Sequence, residues 1–400
     1  MKIGIIKEGK TPPDYRVPLT PAQCNDILKA TEIDLKVQPS DSRCYKDQEY
    51  VDERISLSSD MTDRDILLGV KEVPIDQLIS DKTYFFFSHT IKMQSYNRDL
   101  LRAILDKNIT LIDWETLAND SGQRVIAFGR WAGIVGAHNG ILTWGKRHEK
   151  FDLKPMNQCH DFKEAKSLYK DLNLGHIRVV LTGMGRVANG AAEVLDAMGI
   201  KRVSPDEYLH NSFDVPVYTQ LDLADMYAFT GHESFDKDHY FKNFKEYDTR
   251  FRPYTKCTDI MINGIYWEPG VPAFFTRDQM IHPDFTIQVI ADITCDIAPE
   301  SSIPSTLRPS TIEEPIYGFN PVSSIETESF INGSVDVMAV DNLPNELPRD
   351  ASEDFGKQFM NYVLPELLKD ESEMLERATI AKGGKLGSHF GYLEDYVAGK

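Results

Sequence analysis

The stretch HIRVVLTGMGRVANGAAEVLDAMG, residues 176–199, constrains the fold of this chain more than any other. Its apolar start, 176–182, predicts a strand; 183–186 predicts a tight turn; and 187–198 predicts an alanine-rich helix that ends at Gly199. A strand followed by a glycine turn and a helix is typical of parallel sheets in α/β proteins. We therefore expect an α/β fold built around this unit.

The turn also has the chemistry of a nucleotide site. Gly183, Gly185 and Ala188 fit the pattern G-x-G-x-x-G/A in the strand-to-helix context that it requires. The first glycine permits the turn, the second admits a pyrophosphate, and the helix N-terminus attracts the phosphate charge. The pattern predicts dinucleotide binding, and the alternative is a tight turn without a ligand.

The choice between NAD and NADP stays open at this point. An acidic residue that binds the ribose is expected about 20 residues after the turn, at the end of the next strand. The next predicted strand, 201–204, is short and is followed by Pro205 and Asp206, so Ser204 or Asp206 is the candidate. Arg202 nearby is of the type that binds a 2′-phosphate.

The first 120 residues repeat the alternation of strands and helices. Thr20, Pro21 and Gln23 form a helix-start signature with a capping box. Strand-length apolar runs cover 2–6, 65–70, 83–87 and 110–112, and further runs occur at 259–265, 286–293 and 336–340. This pattern predicts a second parallel sheet, and 400 residues suffice for two domains.

Charge and cysteine content exclude several classes of protein. Lys and Arg number 44 against 62 Asp and Glu, which gives a net charge of −18 and disfavours nucleic acid and anionic membranes as partners. The least polar long stretch, 125–144, contains Arg130 and His138 and predicts a packed helix and not a membrane span. Five widely spaced cysteines without a C-x-x-C pair favour reduced thiols, a cytoplasmic location and no metal site.

Ionisable side chains follow several predicted strands of the first half. Lys71 and Glu72 follow one strand, His89 follows the next, and Glu115 follows a third. Each alone is more often a solvated loop residue, but the carboxyl ends of parallel strands meet at one edge of a sheet. Together they predict a cleft suited to acid–base chemistry.

Seven segments, in this order and spacing, resemble the NAD-dependent, lysine-forming saccharopine dehydrogenases: KEGKTPPDYRVPLTP, LLGVKEVP, FFFSHTIKMQ, LIDWETLANDSGQRVIAFG, MINGIYW, ADITCD and VDNLPNELPRDASEDF. That family belongs to the superfamily of alanine dehydrogenase and the nicotinamide nucleotide transhydrogenase domain. The resemblance implies two Rossmann-like domains with parallel sheets and an active-site cleft between them. It implies a catalytic domain of residues 1–140 plus 345–400 and a dinucleotide-binding domain of residues 141–344.

The same resemblance implies an oxidoreductase of lysine metabolism that acts on CH–NH donors. Saccharopine, NAD and water would give lysine, 2-oxoglutarate and NADH. It assigns catalysis to Lys71 and His89, and binding of the amino-acid substrate to Arg16, Lys92, Glu115 and Arg124. It assigns cofactor binding to Gly183, Met184, Gly185, Arg186, Asn263, Gly264, Ile265, Asp292, Asp341, Asn342 and Leu343, besides Ser204 and Asp206.

Two alternatives remain at this stage. An alanine dehydrogenase-like enzyme would act on a smaller amino acid with the same Lys and His, and a non-catalytic protein would only sense NAD(H). Arg130 and the stretch 207–256, an insertion or a lid, depart from the family pattern. A monomer or a small homo-oligomer is expected.

Overall fold

The computed structural model describes residues 1–231 and 235–400, which form two compact units. Unit 1 comprises residues 1–128 and 348–400, and unit 2 comprises residues 129–347. Three residues of the expected insertion, 232–234, lie outside the described residues.

The strands, in chain order, are β1 Lys2–Ile5, β2 Asp34–Val37, β3 Ser56–Leu57, β4 Ile66–Leu68, β5 Thr83–Phe86, β6 Thr110–Asp113, β7 Arg178–Thr182, β8 Lys201–Arg202, β9 Val217–Leu221, β10 Tyr227–Phe229, β11 Tyr247–Thr249, β12 Ile260–Asn263, β13 Val289–Asp292, β14 Ile316–Asn320, β15 Ile325–Thr327, β16 Val335–Met338, β17 Thr379–Lys382 and β18 Lys385–Leu386. The α-helices are α1 Pro21–Ala30, α2 Asp47–Asp52, α3 Arg98–Asp106, α4 Gly129–Arg147, α5 Phe162–Ser167, α6 Arg186–Ala197, α7 Pro205–His210, α8 Leu223–Met226, α9 Lys237–Asn243, α10 Arg277–Ile281, α11 Pro348–Gln358, α12 Leu364–Leu367, α13 Glu373–Ala378 and α14 Glu394–Ala398.

Unit 1 contains an eight-stranded sheet in the order β18-β17-β6-β5-β4-β1-β2-β3. The strands from β6 to β3 run parallel, and β17 joins β6 antiparallel from the C-terminal segment. Helix α1 begins as the sequence predicts: Thr20 accepts the N–H of Gln23, and the Gln23 side chain accepts the N–H of Thr20.

Unit 2 contains a second eight-stranded sheet, in the order β15-β14-β16-β13-β12-β7-β9-β8. Its strands from β16 to β8 are parallel, and β14 and β15 form an antiparallel edge. Two mostly parallel sheets, each with crossover helices, confirm the predicted α/β class with two Rossmann-like domains.

The strand that lies beside β7 is not the next strand in the sequence, β8, but the one after it, β9. The run expected to neighbour β7, residues 201–204, forms only the two-residue edge strand β8. Strand β9 pairs with β7 along its whole length instead, from Arg178 opposite Val217 to Thr182 opposite Leu221. The position after the neighbouring strand is therefore Asp222, which the sequence reasoning missed.

Helix α4 belongs to unit 2 as a whole, so the divisions lie at 128/129 and 347/348 and not at 140/141 and 344/345. A methyl group added at Gly133 would lie 1.8 Å from the carbonyl oxygen of Val187 on α6, and one added at Gly140 would lie 2.9 Å from the Cβ of Ala291 on β13. Only glycine permits this close packing of α4 against α6 and the sheet.

The stretch 207–256 contains the main-sheet strand β9 and, beyond it, elements outside that sheet. These are α8, α9 and the antiparallel pair β10–β11.

Within residues 1–231 and 235–400, none of the helices has both the length and the apolar character of a membrane span.

Candidate functional site

Charged side chains of unit 1 collect at the carboxyl ends of four neighbouring strands. Glu8 follows β1, Lys71 and Glu72 follow β4, His89 follows β5, and Glu115 follows β6. Because these strands are parallel, their carboxyl ends share one edge of the sheet.

Lys71 is the centre of this cluster in electrostatic terms. Burial is the main cause that lowers its pKa from 10.5 to about 8, and the positive charges of Arg16 and Lys10 lower it further. Glu72 and Asp14 oppose the shift. A lysine in this condition supplies a neutral amine near physiological pH.

Glu72 and His89 form a short hydrogen-bonded pair, with 2.5 Å between Oε1 and Nδ1. Burial would raise the pKa of Glu72, but the bond to His89 and the charges of His89 and Lys10 lower it to about 2. The imidazole also stacks on Phe87, with 6.3 Å between ring centroids. The carboxylate and the ring together fix the orientation of His89.

Glu8 was not among the sequence-predicted site residues, although it follows a strand as the others do. Its carboxylate accepts the backbone N–H groups of Val70 and Lys71 at 2.6 and 2.8 Å. Burial and the negative charge of Asp14 raise the pKa of Glu8 well above its ordinary value. Glu8 thus holds the segment that carries Lys71.

Arg16 lies in a buried ion pair, with only 2% of its side chain exposed. Its Nε and Nη2 donate to the two carboxylate oxygens of Asp14 at 2.9 and 2.5 Å, and its guanidinium lies 4.2 Å from the ring centre of Phe128. Asp14 therefore neutralises much of the charge that was expected to serve a substrate carboxylate.

Two partly exposed cations lie beside Glu115. Lys92 Nζ and Arg124 Nη1 are 4.0 and 3.4 Å from Glu115 Oε1. The structure thus brings together three of the residues predicted to bind substrate.

Arg130, the departure from the family pattern, lies in unit 2. It donates two hydrogen bonds of 2.7 Å to Glu193. Arg130, on α4, is thus paired with a glutamate on α6.

The glycine turn of unit 2 has the predicted geometry. Gly183 has a φ of +94°, and a methyl group there would lie 3.0 Å from the carbonyl oxygen of Gly264. A methyl group on Gly185 would meet no atom within 4 Å, so this glycine borders open space at the start of α6. Gln220 on β9 donates to the carbonyl oxygen of Gly183 at 2.9 Å and supports the turn.

A cavity of about 700 Å³ opens at this turn. Of the predicted cofactor residues, it is lined by Gly183, Met184, Gly185, Arg186, Gly264 and Ile265. Residues that the sequence reasoning missed complete its wall: Val187, Asp222, Leu223, Lys237, Tyr240, Phe241, Phe244, Tyr266, Trp267, Glu268, Val271, Ile293, Thr294 and Asp296. Open space beside Gly185 and a helix N-terminus meet the requirements of a pyrophosphate.

The other predicted cofactor residues lie outside this lining. Ser204 caps α7, and Asp206 is an exposed partner of His210. The segment 341–343 leads into a 3₁₀ turn, with Leu343 buried.

Asn263 and Asp292 are fully buried in a polar network at the strand ends. The Asn263 amide donates to Asp292 at 2.9 Å and to Ser302 at 2.8 Å, and it accepts from Thr182 at 2.7 Å. Thr306 donates to Asp292 at 2.6 Å. These contacts hold the ends of β7, β12 and β13 together.

A cavity of similar size in unit 1, about 690 Å³, contains none of the predicted site residues. Its lining includes five carboxylates: Asp26, Glu49, Asp52, Glu53 and Glu353. Such a surface disfavours an anionic ligand.

In the part of the chain that the structure describes, no three His, Cys, Asp or Glu side chains are grouped as metal ligands.

The fold and the two sites define a class: an α/β protein with a dinucleotide-type cavity in one Rossmann-like unit and a lysine–histidine–glutamate cluster in the other. Residues 4–135 match the family model for the alanine dehydrogenase/PNT N-terminal domain.

Curated relatives narrow the resemblance. The chain is 30% identical over 441 aligned positions to the mitochondrial alpha-aminoadipic semialdehyde synthase of Mus musculus, covering 95% of this chain and 46% of that protein. It thus spans about half the length of these relatives. It is 26% identical to the saccharopine dehydrogenase [NAD(+), L-lysine-forming] of Yarrowia lipolytica, covering 94% and 95% of the two chains. The expected resemblance to saccharopine dehydrogenases is confirmed.

Solved structures support the fold. An L-alanine dehydrogenase aligns over 100% of this chain and 99% of its own, with a TM-score of 0.69 and 16% identity. A transhydrogenase from Sinorhizobium meliloti aligns over 96% of this chain and 100% of its own, with a TM-score of 0.58 and 12% identity.

Proposed function

We propose that this chain is a nicotinamide-dependent amino-acid dehydrogenase that acts on the C–N bond of saccharopine. The observation that carries the proposal is the cluster at the strand ends of unit 1, where a half-buried lysine of lowered pKa precedes the hydrogen-bonded pair of Glu72 and His89. Similarity to saccharopine dehydrogenases over nearly the whole chain supports the choice of substrate.

The cavity at the glycine turn suits a dinucleotide. Gly183 to Arg186 would hold the pyrophosphate, and Gly264 and Ile265 would line the adjoining wall. Asp222, at the end of the strand beside β7, would accept hydrogen bonds from the ribose hydroxyls and repel a 2′-phosphate. We therefore propose NAD as the cofactor. When bound, it accepts the hydride that leaves the substrate carbon.

In the oxidative direction, the neutral amine of Lys71 takes a proton from the secondary ammonium group of saccharopine. Loss of the hydride from the adjacent carbon then leaves a protonated imine. His89, held by Glu72, takes a proton from the water that adds to the imine carbon, which gives a carbinolamine. His89 returns this proton to the nitrogen and takes the hydroxyl proton of the carbinolamine as the C–N bond breaks. The products are lysine and 2-oxoglutarate.

Saccharopine has three carboxylates, and cations at the site would bind them. Lys92 and Arg124 are partly exposed and both lie beside Glu115, so they suit this role. Arg16, buried against Asp14, would act on Lys71 through its charge as well as on the substrate.

One assay tests the proposal. The protein is mixed with NADH or NADPH and either lysine plus 2-oxoglutarate or pyruvate plus ammonia, and the absorbance of the reduced cofactor is followed. We expect oxidation with lysine and 2-oxoglutarate, faster with NADH, which is abolished in Lys71→Met and retained in Lys29→Met, an exposed lysine of the same unit. Oxidation only with pyruvate and ammonia would instead identify an alanine dehydrogenase-like enzyme. Cofactor binding without any turnover would identify a sensor.

The cytoplasmic location, the oligomeric state and the cleft between the units stay predictions. The mouse relative is named as a mitochondrial protein.

A further inference from the structure

One wall of the nucleotide cavity comes from a segment outside the main sheet of unit 2. Lys237, Tyr240 and Phe241 on α9, with Phe244 directly after it, line the same cavity as the glycine turn. We call these four residues the aromatic cap.

The aromatic cap is anchored on its buried side. The Tyr240 ring packs on Tyr227 and Tyr247, with centroids 5.2 and 5.1 Å apart. Phe244 packs against Gly270 in the loop after β12: a methyl group added at Gly270 would lie only 3.1 Å from the Phe244 ring. Phe241, in contrast, is 57% exposed. An aromatic ring on a fixed helix thus faces solvent beside the cavity.

Trp267 supplies a second, independent observation on the same cavity. It follows β12 and lines the cavity, and its side chain is more than nine-tenths buried. Its indole N–H has no acceptor among residues 1–231 and 235–400. A buried donor without a partner is costly, and an indole nitrogen can only donate. An acceptor on a ligand in this cavity would satisfy it.

The position of these residues identifies the part of the ligand that they suit. In doubly wound sheets the adenosine half of a dinucleotide lies on the side of the second strand, which here is β9 with Asp222 at its end. Leu223 follows Asp222 in the lining, so the aromatic cap and this strand end border one cavity. A purine has flat apolar faces for stacking and ring nitrogens that accept hydrogen bonds.

We propose that Phe241 and Phe244 form a slot for the adenine ring of the dinucleotide, and that the Trp267 N–H donates to a ring nitrogen of that base. This inference rests on the proposed function only in taking the cavity ligand to be an adenine dinucleotide.

Isothermal titration of the full chain with ADP-ribose and with nicotinamide mononucleotide tests the slot. We expect Phe241→Ala to weaken ADP-ribose about tenfold or more and to leave nicotinamide mononucleotide unchanged. Phe330→Ala, a 38% exposed phenylalanine of the same unit outside the cavity lining, should bind both ligands as the parent protein does. Trp267→Phe keeps the ring and removes the N–H, so we expect ADP-ribose to bind several-fold more weakly and its quenching of tryptophan fluorescence to disappear.

The result that overturns the inference is ADP-ribose affinity in Phe241→Ala and Trp267→Phe equal to that of the parent, or a parent protein that does not bind ADP-ribose. Thermal melting of each variant shows whether it is folded. Failure of the proposed reaction is a separate outcome. If the protein binds ADP-ribose through this slot but turns over no amino acid, the inference on the slot holds and the proposed reaction is wrong.

Discussion

The carboxylate of Glu8 accepts the backbone N–H of Lys71 at 2.8 Å, and its other oxygen accepts the N–H of Val70 at 2.6 Å. The end of β1 is thereby fastened to the end of β4, and the position of the lysine depends on a residue 63 positions earlier in the chain. This contact leads to the first of four predictions.

We expect Glu8→Gln to lower kcat about tenfold with a small change in KM, because the amide retains one acceptor and leaves the other N–H without a good partner. The pH dependence of kcat should keep its midpoint, since Glu8 positions Lys71 and does not exchange a proton with substrate. Steady-state kinetics across pH measure both, and Glu32→Gln, an exposed glutamate of unit 1, is the control. A shifted midpoint would show that Glu8 itself titrates in the reaction.

Lys71→Met should remove activity and increase stability. A lysine pKa lowered from 10.5 to about 8 corresponds to a folding penalty on the order of 3 kcal/mol. Because the folded-state pKa lies below the unfolded one, the penalty is full below pH 8 and disappears as pH rises above 10.5. Urea unfolding should therefore find the variant more stable at pH 7 and nearly equal to the parent at pH 11. A variant less stable at pH 7 would contradict the lowered pKa of this lysine.

The rate of amine oxidation should depend on His89 and on the charge of Glu72. We expect His89→Gln to slow turnover by about 10²-fold or more and Glu72→Gln by about tenfold, since the amide keeps the shape but loses the charge that orients the ring. Asp99→Asn breaks an exposed ion pair with Arg102 in the same unit and should leave the rate unchanged. Equal rates in all three variants would show that the pair of His89 and Glu72 takes no part in the reaction.

In the parent protein, the rate of amine oxidation should rise as pH increases through about 8, where Lys71 becomes neutral.

Gly185→Ala should separate folding from cofactor binding. Its methyl group meets no atom of the described chain within 4 Å, so we expect the free energy of unfolding to change by less than about 0.5 kcal/mol. The same methyl group would occupy the space of the pyrophosphate and weaken NADH at least tenfold. Gly391→Ala also borders open space, in unit 1, and should bind NADH normally. Unchanged NADH affinity in Gly185→Ala would place the phosphates elsewhere.

The features that the sequence predicted depend on residues close together in the chain. The capping box of Thr20 and Gln23 and the turn at Gly183 are local, and both appear as expected. The cluster of Lys71, His89 and Glu115 followed from a simple rule on parallel strands, and Glu8 fits the same rule.

What the sequence did not predict depends on pairing over long distances. Asp222 was missed because the strand beside β7 is not the next strand in the chain. The expected cofactor contact of Asn263 and Asp292 stays a prediction. The sequence did not show that they lie opposite each other in neighbouring strands, where the Asn263 amide donates to Asp292. A one-dimensional pattern carries no information on either pairing.

The antiparallel pairing of β17 with β6 has a consequence for biosynthesis. Unit 2 is continuous, so a ribosome delivers all its strands before residue 348 is made. Unit 1 waits for residues 379–382 to cover the edge of β6, and until then that edge offers unpaired N–H and C=O groups to other chains. Residues 1–128 are thus synthesised first, but their unit completes its fold last, and until then the edge of β6 is open to chaperones and to aggregation.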